Sequence, residues 1–152
     1  MIQMKVISLD VHHLKKCIEL DEIALDGFWS EEQWKKELTD SERLCLGLIN
    51  KSQLIAFACG WIVMDELQIT AIAVHPNHQG IGKGKIILSK LLFRAKSLGL
   101  NKATLEVKNN NSSAKALYKS LDFKLSGKRK NYYRDGSDAL ILSHDLISYQ
   151  PR

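Results

Sequence analysis

Between an apolar run ending at Val74 and another beginning at Ile86 lies the segment His75-Pro76-Asn77-His78-Gln79-Gly80-Ile81-Gly82-Lys83-Gly84-Lys85. Three glycines in five residues let backbone N–H groups approach a ligand with no side chain in the way. A helix starting behind them adds the positive partial charge of its N-terminus, so the segment suits a phosphate. Two common phosphate motifs fail on the letters. A P-loop needs Gly, four residues and then Gly-Lys-Ser/Thr, but position 79 is Gln and Ile86 follows Lys85. A G-x-G-x-x-G fingerprint fails because Lys85 and Ile87 stand where its third glycine belongs. What fits is Q-x-x-G-x-G, formed by Gln79, Gly82 and Gly84, with an ordinary glycine-rich strand-to-helix turn as the plainer reading.

Two further side chains could move protons. Glu106 alternates with Leu105 and Val107, so on a strand its carboxylate faces away from their packed side. It is a candidate base, or a surface carboxylate paired with Lys108. Tyr118 follows on a short helix, where a phenol of pKa ~10 could protonate a leaving group or simply pack the helix onto a sheet. Asn111 suits a helix N-cap. His75 and His78 flank a proline without Cys or carboxylate company, so no metal site is expected. The run Lys128-Arg129-Lys130 before Tyr132-Tyr133 reads as a solvated hairpin face or as a contact to substrate or phosphate.

The elements that must position these residues can be read from periodicity. A short strand over 4–9 precedes a helix capped by Asp10 with the stripe Val11, Leu14, Cys17 and Ile18. Ser30-Glu31-Glu32-Gln33 fits a capping box, with Trp34 and Leu38 behind it. Strands over 44–50, 53–63 and 67–74, turning at Lys51-Ser52 and breaking at Asp65-Glu66, predict an antiparallel meander that Pro76 ends. Ile87, Leu88, Leu91, Leu92 and Ala95 predict a helix over 85–98 closed by Gly99. A strand over 103–108, a helix over 113–120 and a hairpin of 123–133 with 137–146 about Asp135-Gly136 complete the chain. The order β-α-α-β-β-β-α-β-α-β-β predicts an α/β fold with one mixed central sheet and helices on both faces.

Composition sets the outer limits. With 152 residues, 45% hydrophobic and 26% charged, residues 1–152 form one domain of ordinary composition, too short for a two-domain dehydrogenase or a kinase and too apolar for disorder. The formal net charge of +5 leans weakly toward anionic partners, and direct nucleic-acid binding is not expected on charge alone. Cys17, Cys45 and Cys59 are odd in number and widely spaced, which reads as buried reduced thiols in a cytoplasmic protein. No apolar run approaches the ~20 residues of a membrane span, and the N-terminus has no signal-peptide core.

The glycine-rich turn resembles motif A of the GNAT superfamily of acetyl-CoA-dependent N-acetyltransferases. The resemblance extends from about Trp29 to Leu146 through Phe28-Trp29-Ser30-Glu31, Ile72-Ala73-Val74, Leu105-Glu106-Val107, Ala116-Leu117-Tyr118 and Asn131-Tyr132-Tyr133. Within the superfamily the chain is similar to the bacterial ribosomal-protein alanine N-acetyltransferases. It departs from them at Phe28, where members have Pro, and at Asp122, where they have the Gly of Leu-Gly-Phe.

The resemblance implies a single GNAT domain whose fourth strand splays from the fifth, with acetyl-CoA as co-substrate and no metal. Glu106 would be the base, directly or through a water, and Tyr118 the acid. Ile72, Ala73 and Val74 would meet the thioester, with the Val74 N–H facing the oxyanion. Gln79, Gly80, Ile81, Gly82, Lys83, Gly84 and Lys85 would hold the pyrophosphate, and Asn111 the pantetheine arm. Trp29, Tyr132 and Tyr133 fall on the substrate side. The implied acceptor is a protein N-terminus, that of an Ala-initiated ribosomal protein. Another amine, such as a polyamine, an amino sugar or a lysine, is the nearest alternative, and a non-catalytic acyl-CoA-binding module is the alternative of a different class.

Overall fold

The computed structural model describes residues 4–150. Its elements are β1 (Met4–Ser8), α1 (Leu14–Leu25), α2 (Glu31–Thr39), β2 (Arg43–Asn50), β3 (Gln53–Val63), β4 (Glu66–Val74), α3 (Lys83–Ser97), β5 (Lys102–Lys108), α4 (Ser112–Ser120), β6 (Lys124–Arg129) and β7 (Ala139–Asp145). Short 3-10 turns over Val11–His13 and Pro76–His78 precede α1 and follow β4. The element order is the one that periodicity predicts. All seven strands join one sheet in the order β1-β2-β3-β4-β5-β7-β6. Neighbours are antiparallel except β4 and β5, which run parallel.

Two apolar layers hold the helices to the sheet. On one side Ile87, Leu88, Leu91, Leu92 and Ala95 of α3 are fully buried against Leu46, Leu48, Ala103, Leu105 and Val107. Each larger side chain there contributes about 2 kcal/mol of burial. On the other side α1 and α2 bury Cys17, Leu20, Trp34 and Leu38 against Cys45, Phe57, Cys59, Ala71 and Ala73.

Local chemistry sets the ends of the elements. Asp10 accepts from the His12 N–H at 2.9 Å and caps the 3-10 turn, not α1 itself, which leaves Val11 at the surface. Ser30 accepts from the Gln33 N–H at 3.1 Å, but the Gln33 amide turns to Glu37 Oε1 at 2.7 Å, so only half of the capping box forms. α3 starts two residues earlier than periodicity predicts, because Gly82 in the left-handed region serves as its N-cap. Asp122 adopts φ 63°, the conformation for which glycine is favoured. Trp61 lies at the surface under the Arg43 guanidinium, 4.6 Å away.

The last hairpin is shorter than its sequence predicts. β6 ends at Arg129 and β7 begins at Ala139, and the intervening segment folds on itself. The Asn131 N–H donates to Asp138 Oδ1 at 2.9 Å, and Tyr133 and Ser137 close an inner turn around Asp135-Gly136. With their bonds satisfied inside the loop, these residues have none left for a ladder.

One irregularity governs everything that follows. Cys59 lies opposite Ala71 and Gly60 opposite Ile69, so Thr70 is an extra residue, and its Oγ1 donates to the Cys59 carbonyl at 3.2 Å. This bulge shifts the phase of β4 by one residue. Ile69 and Ile72, three apart, both pack on the α3 side, while Ala71 and Ala73 pack on the α1/α2 side. β4 pairs with β5 only at Glu66, Leu67 and Gln68. Beyond Gln68 the two strands separate and leave a gap through the sheet.

Candidate active site

The gap is lined by backbone. The His75 N–H donates to the Ile55 carbonyl at 2.7 Å, which fixes His75 and Ile55 as a hydrogen-bonded pair. Such pairs alternate along an antiparallel ladder, so Ala73 and Ala71 bond to β3, while Ile72 and Val74 occupy the non-bonded positions between them. The N–H and C=O groups of Ile72 and Val74 therefore turn toward β5, which does not pair with them there. Of the three residues expected to meet the thioester, Ile72 and Val74 present backbone to the gap, and Ala73 does not. The Val74 carbonyl accepts from Gln79 Nε2 at 3.1 Å. Gln79 thus ties the turn to the strand, and the Val74 N–H is left for a ligand.

The glycine-rich turn ends where α3 begins. Gly80 and Gly82 take φ 77° and 85°, which other residues adopt only under strain. The first helical bond runs from the Ile86 N–H to the Gly82 carbonyl at 3.1 Å, so the N–H groups of Lys83, Gly84 and Lys85 have no partner within the helix. Gly82 offers no capping side chain, the first turn holds no acidic residue, and Lys83 and Lys85 add positive charge. A Cβ at Gly84 would lie 3.4 Å from Leu117 and 3.6 Å from Val74, so this first turn rests on α4 and on the end of β4. Ile81 is exposed beside it. An anion such as a diphosphate fits this arrangement, next to the open backbone of Val74. Asn111 is the N-cap of α4, its Oδ1 accepting from the Ala114 N–H at 3.2 Å.

Glu106 and Tyr118 lie on opposite faces of the sheet. Tyr118 is half-buried in the α3-side core with its ring 5.8 Å from that of Phe123, and burial pushes its phenol above the ordinary value. It therefore remains a proton donor throughout the neutral range. Glu106 points to the α1/α2 side, where Arg129 Nε donates to its Oε1 at 3.0 Å. Lys108, the partner that sequence offered for Glu106, bridges Asp135 at 2.8 Å instead.

The two tyrosines expected on the substrate side gather here. Tyr132 lies under the Arg129 guanidinium at 5.6 Å, and its ring stands 5.2 Å from that of Tyr133. Burial, and next the charge of Glu106, raise the Tyr133 phenol. Of the basic run, Arg129 joins this cluster, Lys128 faces Asp138 at 3.7 Å, and Lys130 is exposed. Trp29 packs edge-on against Trp34, 4.9 Å away, in the loop between α1 and α2.

The sequence model described as "Acetyltransferase (GNAT) family" matches residues 10–123. The chain belongs to this acetyltransferase family. It is 34% identical over 140 residues to the Escherichia coli [ribosomal protein bS18]-alanine N-acetyltransferase, covering 90% of this chain and 93% of that protein. The enzyme of the same name from Haemophilus influenzae is 43% identical over 90 residues, 59% of this chain and 61% of the relative. The crystal structure of the ribosomal-protein-S18-alanine N-acetyltransferase from Escherichia coli superimposes with a TM-score of 0.87 at 31% identity, covering 95% of this chain and 94% of that one. The mixed α/β fold expected from the resemblance is shared with this acetyltransferase structure.

Two side chains with distinctive partners in the structure were not singled out by the sequence. Arg129 was one of three adjacent cations, and nothing in the letters singles it out as the partner of Glu106. Asp21, on a helix of mixed polarity, is 1% exposed and accepts three hydrogen bonds from the α1–α2 loop and α2. Its only sequence signal is its place one turn before Asp26-Gly27. A broad open groove also runs between α3 and the C-terminal segment, lined by Lys90, Phe93, Asp122, His144 and Tyr149, and it contains neither Glu106 nor Tyr118.

Proposed function

We propose that this acetyltransferase moves the acetyl group of acetyl-CoA to the N-terminal α-amine of a protein, an Ala-initiated ribosomal protein, by direct attack with both substrates bound. The observation that carries the reading is the gap itself: open backbone at Val74, with Glu106 on one face and Tyr118 on the other. A donor lying along β4, with its diphosphate at the start of α3, brings its thioester to the Val74 N–H. The acceptor enters from the opposite face.

The proton inventory then balances. Glu106 takes a proton from the α-ammonium, whose pKa near ~8 asks little of a carboxylate base. The freed amine attacks the carbonyl carbon while the Val74 N–H meets the oxygen as it gains charge. The C–S bond breaks, and the Tyr118 O–H supplies the proton that the leaving sulfur needs. The second proton that the attacking nitrogen sheds as the amide forms restores the phenol, and Glu106 returns its proton to solvent. A covalent route through cysteine has no support. Cys17, Cys45 and Cys59 are all buried free thiols, and burial pushes the Cys17 thiol up to about 12, so it is protonated at neutral pH. The names of the relatives in Escherichia coli and Haemophilus influenzae support the choice of acceptor. The same reading places the enzyme in the cytoplasm; no helix among the described residues is long and apolar enough to cross a membrane.

Mass spectrometry of one peptide, Ala-initiated and carrying an internal lysine, tests this after incubation with acetyl-CoA. The acetyl group is expected on the α-amine. Glu106→Gln is expected to cut turnover by about 10²-fold or more while acetyl-CoA binding stays unchanged. Acetyl on lysine alone overturns the acceptor, whose amine pKa of ~10.4 would demand more of the base. Retained acetyl-CoA binding with no transfer to any amine points to a binding module.

A further inference from the structure

Asp21 lies in α1, away from the gap, yet its carboxylate reaches into the loop that follows. Oδ1 accepts from the Phe28 N–H at 2.7 Å, and Oδ2 accepts from the Trp29 N–H at 3.0 Å and from Trp34 Nε1–H at 2.7 Å. Its main-chain carbonyl also accepts from the Gly27 N–H at 3.3 Å. Asp26 and Gly27, both left-handed at φ 59° and 74°, reverse the chain so that the next two N–H groups point back at this one carboxylate. No Lys or Arg among the described residues forms an ion pair with Asp21. Three N–H donors satisfy it in the core, which is what a buried carboxylate requires.

The anchored loop sits at the acceptor end of the molecule. α2 ends beside the start of β2, where Arg43 bonds Glu37 at 2.9 Å and the Arg43 N–H reaches the Asp40 carbonyl at 3.1 Å. β2 and β4 run in the same direction, each being antiparallel to β3. The start of α2, and the loop before it, therefore lie toward the end where Val74 and Lys108 finish. The loop is on the α1/α2 side, the face to which Glu106 points. It presents Phe28, which is 58% exposed although its backbone is held from within. Its ring stands 5.5 Å from that of Trp29, the outer member of a run that continues through Trp34 to Phe57.

We infer that Asp21 is a positioning residue for the acceptor: its carboxylate fixes the backbone of Phe28 and Trp29 so that the exposed Phe28 ring meets the incoming chain at the Glu106 side of the gap. The inference rests on the proposed acceptor side and adds what organises it. A carboxylate is required, because a carboxamide has one accepting oxygen for three donors and would turn its own N–H groups against theirs. It also accounts for the tolerance of Phe28 where relatives carry proline. A loop held by three external hydrogen bonds does not need a ring in its backbone to hold its shape.

Steady-state kinetics with the Ala-initiated peptide, beside hydrogen exchange, test this. Asp21→Asn is expected to raise the acceptor KM about tenfold while acetyl-CoA affinity stays within about twofold, as for lost hydrogen bonds to a charged group. The Phe28 and Trp29 amides are expected to exchange faster in the same variant. Phe28→Ala leaves the buried network intact and is expected to raise the same KM without lowering thermal stability. If Asp21→Asn lowers the melting temperature but leaves the acceptor KM alone, or raises both substrates' KM values together, the role is overturned. Should that variant fail to fold, an unchanged acceptor KM in Phe28→Ala overturns it. Wild-type transfer to a different amine overturns the acceptor reading alone, and the KM comparison with that amine then decides the role of Asp21 separately.

Discussion

Glu106 is held by Arg129 on the face where the acceptor amine would arrive, and both side chains are partly exposed. A pair of this kind is worth about 0–1 kcal/mol, so an arriving ammonium can take the guanidinium's place at small cost. The direction of Glu106 was legible, because Leu105 and Val107 fix the parity of the strand. Its partner was not, because Arg129 lies 23 residues away and meets it only across β7. His144 is 3% exposed, with Nδ1 2.8 Å from the Leu121 carbonyl, so the proton sits on Nδ1 and donates. Nε2 is buried without a partner among the described residues.

Burial against Phe123 and Tyr149 lowers the His144 pKa, outweighing the Leu121 bond and the charges of Asp122 and Asp145, which act to raise it. The sign for stability follows. Above the ordinary value of 6.5 both folded and unfolded chains carry neutral imidazole and nothing changes. Below it the unfolded chain takes the proton first, so this contribution is lost as pH falls from 6.5 through the lowered folded value. His144→Asn retains a donor for the Leu121 carbonyl and removes the titration. Denaturant midpoints at about pH 7 and about pH 5 are expected to fall further in the wild type than in the variant, and equal drops would refute the assignment.

At the scale of elements, the turn before α3 depends on backbone that only glycine supplies without strain. A Cβ at Gly82 meets nothing within 4 Å, so the cost of Gly82→Ala is purely conformational at φ 85°. That cost is about 1–2 kcal/mol, and the turn can escape it only by reshaping the N–H groups proposed to meet the diphosphate. The variant is therefore expected to raise the KM for acetyl-CoA severalfold or more and to leave the acceptor KM unchanged; equal shifts in both would rule out a donor-side role for the turn. The apolar stripe of α3 was plain in the sequence. Its first residue was not, since a left-handed cap hides inside a glycine-rich loop. The bulge at Thr70 left no compositional trace either. Threonine is at home in a regular strand, and the phase slip exists only in register with β3. The hairpin was overextended for a related reason. Tyr132 and Tyr133 have strand-like character, but Asp138 and Ser137 capture the neighbouring N–H groups first.

For the whole molecule, the decisive feature is that one sheet is built as two. β1 to β4 form an antiparallel meander and β5, β7 and β6 a second antiparallel set, joined by three register pairs at one end. The order of elements was legible because each strand and helix carries its own periodicity. The insertion of β7 between β5 and β6 was not, because local sequence holds no record of which distant edge a strand will meet. The splaying came only through resemblance. Physically it follows from the phase slip at Thr70, after which Ile72 and Val74 point their backbone groups at a strand that has already diverged. That parity can be measured directly by amide exchange. The Ile72 and Val74 N–H groups are expected to exchange at least about tenfold faster than those of Ala71 and Ala73, which bond to β3. Acetyl-CoA is expected to slow Val74 selectively, leaving Ala71 and Ala73 as they were, and the acceptor peptide alone should not do so. Uniform protection across these four residues without the donor would mean that the gap is closed in solution, and with it the route by which the two substrates meet through the sheet.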